Sequence, residues 1–177
     1  QEFLMQVCIV EEFDKRLAEM ITGRNDVERM INIAEQLGNF IFMKEVAGGR
    51  THYEIRLPMR RSMRRRLLRT YQKERWERLY YNAGLYYELE GDTPNALKMY
   101  EACHDIERIA GLLISNARKN PASGYYYELR EYYLALPEEK IRESMELMVG
   151  MSMLQSMLLN IEESERWYEE LKQMERS

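Results

Sequence analysis

Arginine binds phosphate and carboxylate well because its planar guanidinium presents five donors in a fixed fork. Residues 56–75, RLPMRRSMRRRLLRTYQKER, hold nine Lys or Arg against one acid, within a chain whose net charge is −4. Residues 1–55 carry six bases and ten acids, and residues 76–177 carry eleven and nineteen, so all excess positive charge sits in this belt. Met59, Met63, Leu67 and Tyr71 recur every fourth residue, with Leu68 beside them, so one helical face is apolar. Arg60, Arg61, Arg64, Arg65, Arg66 and Arg69 cover the rest. Like charges at this spacing repel, so the helix is expected to be held by docking its Met/Leu stripe. Arg60, Arg61, Arg64, Arg65 and Arg69 are therefore candidates for an inter-domain or phosphate contact. Two other readings stay open: a solvated face, and direct binding of nucleic acid.

Tyrosine is the second chemical theme, with thirteen in the chain. Five lie in nine positions, Tyr125, Tyr126, Tyr127, Tyr132 and Tyr133, too many for one buried stripe. Tyr86, Tyr87, Tyr125, Tyr126 and Tyr132 are candidates to line a ligand groove; the alternative is core packing with hydroxyls at the rim. Bond-making chemistry finds little support. His52, His104, Cys8 and Cys103 show no zinc spacing, and both cysteines sit on apolar faces and read as buried free thiols. No nucleophile motif accompanies the histidines, and Glu11-Glu12 and Glu162-Glu163 read as helix-surface pairs. The phosphate-binding pattern GxxxxGK[ST] is missing from the sequence. The expectation is a non-enzymatic chain with no cofactor and no metal of its own.

What must position these residues is mostly helix. Thirteen Met and thirteen Tyr stand against four Pro and nine Gly among 177 residues. The uncharged stretch Met148 to Ile161 is too short and too polar to span a bilayer, and two thiols without a disulfide framework fit a cytoplasmic setting. A helix is expected over 2–12, with Phe3, Leu4, Val7, Cys8 and Val10 inward. Asp14 caps a second helix that Gly23 ends. A third, from Asn25 or Asp26, carries Val27, Met30, Ile31, Ile33, Ala34 and Leu37 inward and stops at Gly38-Asn39. The period then changes to two: FIFMKEV and THYEIRL are strands around Ala47-Gly48-Gly49-Arg50, where adjacent glycines supply positive φ. Three helices and a hairpin describe a winged-helix domain, assigned to residues 1–70, with a hinge near Thr70–Arg75.

Residues 71–177 read as helical repeats. In WERLYYNAGLYYELEGDTPNALKMYEAC, residues 76–103, two helices fold back on each other with Gly84 and Ala96 allowing close approach. Tyr80, Ala83, Gly84, Tyr87, Gly91, Ala96, Tyr100 and Cys103 resemble a tetratricopeptide repeat, with Arg108 where its closing Pro often stands. Ile106, Ile109, Leu112 and Leu113 face inward on the next helix, which Asn120-Pro121 ends. Further helices are expected over 124–135, over 138–159 after Pro137, and from Ile161 to the end. Gly150 or Ser152 with Ser164 and Tyr168 imitates the small-small-aromatic pattern. The fold expected is mostly α: a winged helix followed by tetratricopeptide-like antiparallel pairs in a right-handed superhelical stack.

Four stretches in one order carry a wider resemblance: FLMQVCIVEEFDKRLAEMITGRNDVERMINIAEQLGNFIF, THYEIRLPMRRSMRRRLL, YYNAGLYYELEGDTPNALKMYEACHDIERIAGLL and EYYLALPEEKIRESMEL. Together they resemble the middle of the large ATP-dependent LuxR-type transcriptional regulators, the maltose-regulon activator group of signal-transduction ATPases. The resemblance implies a cytoplasmic fragment of a longer regulator that relays a signal on its helical repeats. The receivers would be an ATPase core and a DNA-reading helix-turn-helix outside these residues. ATP belongs to that parent, and a small-molecule or protein inducer and DNA, through the parent, are its implied partners. At the hairpin's end the family commonly has a histidine where this chain reads Tyr53-Glu54-Ile55-Arg56, so no nucleotide contact is assigned. The rivals are a nucleic-acid-binding winged helix and a plain protein-interaction adaptor.

Overall fold

The computed structural model describes residues 2–38, 40–45, 48–120 and 125–177, in two compact units, Gln1–Cys103 and His104–Ser177. Asn39, Ala47, Pro121 and Gly124, which figure in the expected turns and helix ends, lie outside the described residues. The described residues contain no helix long and apolar enough to cross a membrane.

The first unit runs α1 (Glu2–Val7), β1 (Glu12–Phe13), α2 (Lys15–Thr22), α3 (Val27–Gly38), β2 (Ile41–Glu45), β3 (Thr51–Ile55), α4 (Leu57–Thr70), α5 (Lys73–Leu89) and α6 (Thr93–Ala102). Asp14 caps α2 by accepting from the Leu17 amide at 2.7 Å, and Gly23 closes it in the left-handed region at φ 69°. The hairpin forms with Gly48 and Gly49 at φ 109° and 77°. Its strands are joined by a third, β1, in the antiparallel order β1-β3-β2. The expected helix over 2–12 therefore ends at Val7. Phe3 to Val10 are all buried, and a run apolar but for Gln6 carries no period that could mark where the helix stops. Phe13 packs edge-on against Phe3 at 6.3 Å, and Ile21, Ile31, Ile41, Ile55 and Leu67 complete the core.

Two apolar assignments fail. Leu37 is 75% exposed because α2 and β2 cover the Val27–Ile31–Ala34 side of α3 and leave its last turn in solvent. Leu68 is 54% exposed because α4 docks through Met63 and Leu67, one position off its own. The expected boundary between residues 70 and 71 falls inside this first unit, since α5 packs on both α2 and α4.

The α5–α6 pair meets as its small residues anticipate. A Cβ on Gly84 would lie 2.5 Å from the ring of the fully buried Tyr100, so only glycine fits. Its turn is a Schellman motif: Asp92 N–H donates to Tyr87 O and Gly91 N–H to Glu88 O, with Gly91 left-handed at φ 74°.

The second unit comprises α7 (Ile106–Lys119), α8 (Arg130–Ala135), α9 (Glu138–Arg142), α10 (Met145–Met157) and α11 (Ile161–Arg176), with α10 packed by the other four. The helix expected over 124–135 is reduced to α8: Tyr125 has φ 50°, which no right-handed helix accommodates. The helix expected over 138–159 is two, because Ser144 turns extended and caps α10 at the Leu147 amide. Ile106, at the first position of α7, is 39% exposed. Ser152 Oγ donates to Ser164 O at 2.9 Å and Ser164 Oγ to Ser152 O at 2.8 Å, so reciprocal hydroxyls bridge the backbones of α10 and α11. Their turn repeats the Schellman motif, with Asn160 N–H on Gln155 O, Leu159 N–H on Ser156 O, and Leu159 left-handed at φ 61°. Of the left-handed residues in this region, 91, 125 and 159 stand 34 residues apart and His104, at φ 55°, lies off that interval; Ser152 and Ser164 stand two such steps beyond Gly84 and Ala96.

Trp167 is fully buried between the guanidiniums of Arg166 and Arg142, 4.7 and 5.3 Å from its ring. Arg166 holds Glu138 and Arg142 holds Glu170, and each carboxyl is thereby kept below the usual carboxylate range.

Leucine in the left-handed region costs about 1–2 kcal/mol, so Leu159→Gly is expected to raise the melting temperature of the chain and Gly91→Leu to lower it. Depressed carboxyls stabilise at neutral pH and lose that contribution as they protonate. Thermal melts from pH 7 to pH 3 are therefore expected to show stability draining below the ordinary glutamate value of 4.5, and Arg142→Ala to flatten that decline.

Candidate functional site

The belt arginines divide by partner. Pro58 starts α4, and the Met63–Leu67 side it buries fixes which arginines reach the rest of the unit. Arg60, its side chain only 16% exposed, stands 3.8 Å from Glu11. Arg64 donates to the Ile9 carbonyl at 3.4 Å and to the Tyr80 phenol. These two clamp α4 onto the link between α1 and β1. Arg61, Arg65 and Arg69 are exposed, follow one another at four-residue steps along one face, and make no ion pair among the described residues. Beyond the helix, Arg75 lies over the Tyr71 ring at 3.8 Å and pairs with Glu2 at 3.1 Å. Tyr71 in turn donates to Glu2 at 2.9 Å and accepts from Gln6 at 3.2 Å, which pins the expected hinge region to α1.

The tyrosines also divide. Tyr86 and Tyr87 come together at 5.5 Å in an edge-on pair near the C-terminal end of α5. Tyr86 donates its hydroxyl to Asp14 Oδ2 at 2.9 Å; burial first, and this acceptor second, push the phenol's pKa up. Burial pushes the Tyr87 phenol up to about 12. One turn further, Glu90 reaches Arg50 of the hairpin at 3.2 Å and Arg16 of α2 at 3.9 Å. Tyr126, in the second unit, is spent in the core, edge-on to the fully buried Tyr133 at 5.8 Å. Tyr125 is exposed and Tyr132 half-buried in the same unit.

Between the sheet and the α5–α6 pair lies a cleft of about 620 Å³, floored by Ile9, Val10 and Met99. A second, of about 350 Å³, adjoins it through Glu12, Tyr87 and Asn95 and includes His52. Burial raises the Cys8 thiol to about 12, and its Sγ lies 3.0 Å from Met5 O, so it is held as an unreactive thiol. Cys103 is buried as well.

The order of three helices and hairpin, closed by a short strand and followed by an arginine-bearing helix, now has an independent match. Residues 1–75 match the MalT winged helix domain. The match supports a MalT-type regulator for this part of the chain. No curated protein matches the chain, and no solved structure does. The winged helix domain ends within the first turn of α5, yet the compact unit continues to Cys103 through the Tyr86–Asp14 and Glu90–Arg50 contacts. Asp14, Glu90 and Arg50 were not among the residues expected at a site. Asp14 carried a signal as a helix cap, but its second partner, 72 residues away, has none in sequence.

Loss of the Tyr86 hydroxyl leaves half of a buried carboxylate without a donor, so Tyr86→Phe is expected to cost about 1–2 kcal/mol in urea unfolding. Asp14→Ala removes the cap as well and is expected to cost more.

Proposed function

We propose that this chain is a cytoplasmic, non-catalytic fragment of a MalT-like transcriptional regulator, and that it relays signal or partner binding on its helices to the winged helix domain. The observation that carries the proposal is the fastening of α5 to that domain through Tyr86, Asp14, Glu90 and Arg50. A shift of the helix pair draws directly on the cap of α2 and on the hairpin. The helices from α5 onward are tetratricopeptide-like in this reading. Its support is the 34-residue interval between three of the left-handed residues, 91, 125 and 159, which equals the tetratricopeptide period, and the repetition of small residues two periods apart. ATP and the DNA-reading domain belong to the parent protein. Arg61, Arg65 and Arg69, exposed and unpaired among the described residues, are the docking face toward the rest of it.

The same three arginines favour a second reading, direct nucleic-acid binding, because a row of uncompensated guanidiniums suits phosphate. A salt titration of the chain on duplex DNA separates the two: steeply salt-dependent binding supports the second reading, and no binding at low salt removes it.

In the parent regulator, Tyr86→Phe with Glu90→Gln is expected to blunt the transcriptional response to inducer while the protein stays folded. Arg61→Glu, Arg65→Glu and Arg69→Glu together are expected to alter the nucleotide response. An unchanged response in the first variant overturns the relay, and in the second removes the arginine face from it.

A further inference from the structure

The larger cleft is segregated by charge. Its sheet wall carries Glu11, Glu12 and Glu54 with Lys44, and its helix wall carries Arg64 and Lys98. Some of these charges are already matched: Glu12 holds Lys44 at 2.7 Å, and Glu11 stands 3.8 Å from Arg60. Glu54 has no ion pair within 4 Å among the described residues, and it lies directly opposite Glu12 in the β1–β3 register. Like charges so placed repel; Lys44, already paired with Glu12, also acts on Glu54 and offsets part of that cost, and a further cationic group in the cleft would offset more. On the facing wall Lys98 also has no ion pair among the described residues, and the hydrogen bonds of Arg64 go to neutral oxygens. Tyr87, between the walls, makes no hydrogen bond through its hydroxyl among the described residues. The floor of Ile9, Val10, Met99 and Ala102 is apolar.

We propose that this cleft binds a small zwitterion, a free amino acid or short peptide. Its ammonium faces Glu54, its carboxylate faces Lys98 and Arg64, and its apolar body lies on the floor. The volume of about 620 Å³ falls within the range that small-molecule sites occupy. A simple anion would meet Glu54 and Glu12, and a simple cation would meet Lys98 and Arg64. A neutral ligand would leave Glu54 and Lys98 without an ion pair. Two opposite charges at the ends of one molecule answer both walls at once, and the Tyr87 hydroxyl and Asn95 supply hydrogen bonds along its length.

Calorimetric titration of the whole chain tests this, with the free amino acids and the dipeptide Leu-Tyr as probes. N-acetyl-Leu-Tyr and Leu-Tyr amide are the matched probes that lack one charge each. Saturable binding of a free form is expected, weakened about three- to tenfold by blocking either end. Glu54→Gln is expected to erase the preference for a free ammonium and Lys98→Met that for a free carboxylate, each leaving the other preference in place. Both variants change cleft-surface side chains, and melting curves are the check that they fold; Lys98→Met alone suffices should Glu54→Gln fail to. Absence of binding by every free form at millimolar concentration overturns the proposal. So does equal binding of blocked and free forms, or an unaltered preference in the folded variants. Binding is read on this chain alone, so its failure is separate from any failure of the relay.

Discussion

One buried carboxylate organises the first unit. Asp14 is 6% exposed; one oxygen accepts the Leu17 amide and thereby starts α2, and the other accepts the Tyr86 hydroxyl from α5. An ionised group that far out of water is tolerated only while both oxygens are satisfied. Pulling α5 away exposes or orphans one of them, and removing α2's first turn orphans the other. Helix capping, usually a local matter, is here tied to the seating of a helix seventy residues away. Glu90 extends the same edge with Arg50 and Arg16, whose exposure limits what each pair adds.

What was legible in the chain was what is decided within a few residues. Asp14 and Gly23 mark the ends of α2, Gly48-Gly49 the hairpin, and the Met63–Leu67 spacing the docked side of α4, because cap, turn and period are local rules. What was not legible depended on neighbours. Strand β1 is two residues long, so it has no period, and only its partner β3 makes it a strand. Leu37 and Leu68 fit an apolar stripe on paper, but their exposure is set by how far the adjoining elements extend. The break before α10 did have a local sign, Ser144, overridden by the apolar run after it. For the site, composition presents the arginine row as a unit, whereas the fold half-buries Arg60, engages the exposed Arg64 with Ile9, and leaves Arg61, Arg65 and Arg69 in solvent. Composition groups the tyrosines, and packing sorts them into core, surface and a hydrogen bond to a cap.

Charge is handled differently in the two units. In the second, acids and bases are interleaved on α9 and α11, where Glu138, Arg142, Glu163, Arg166 and Glu170 hold one another around a buried indole. In the first, positive charge is concentrated on α4 and acids gather along β1 and β3, so opposite signs face each other across open space. Interleaving tends to close a surface to charged partners; separation leaves one open.

The glycine at residue 91 and the leucine at residue 159 adopt the same backbone conformation in the same turn. Phase along these helices is therefore written in torsion angles, and side-chain identity records it incompletely. Comparison by amino-acid letters perceives a single good repeat at residues 76–103, while comparison by backbone handedness finds a beat that continues to residue 159. A turn of this geometry can therefore form without the glycine that would announce it in the sequence.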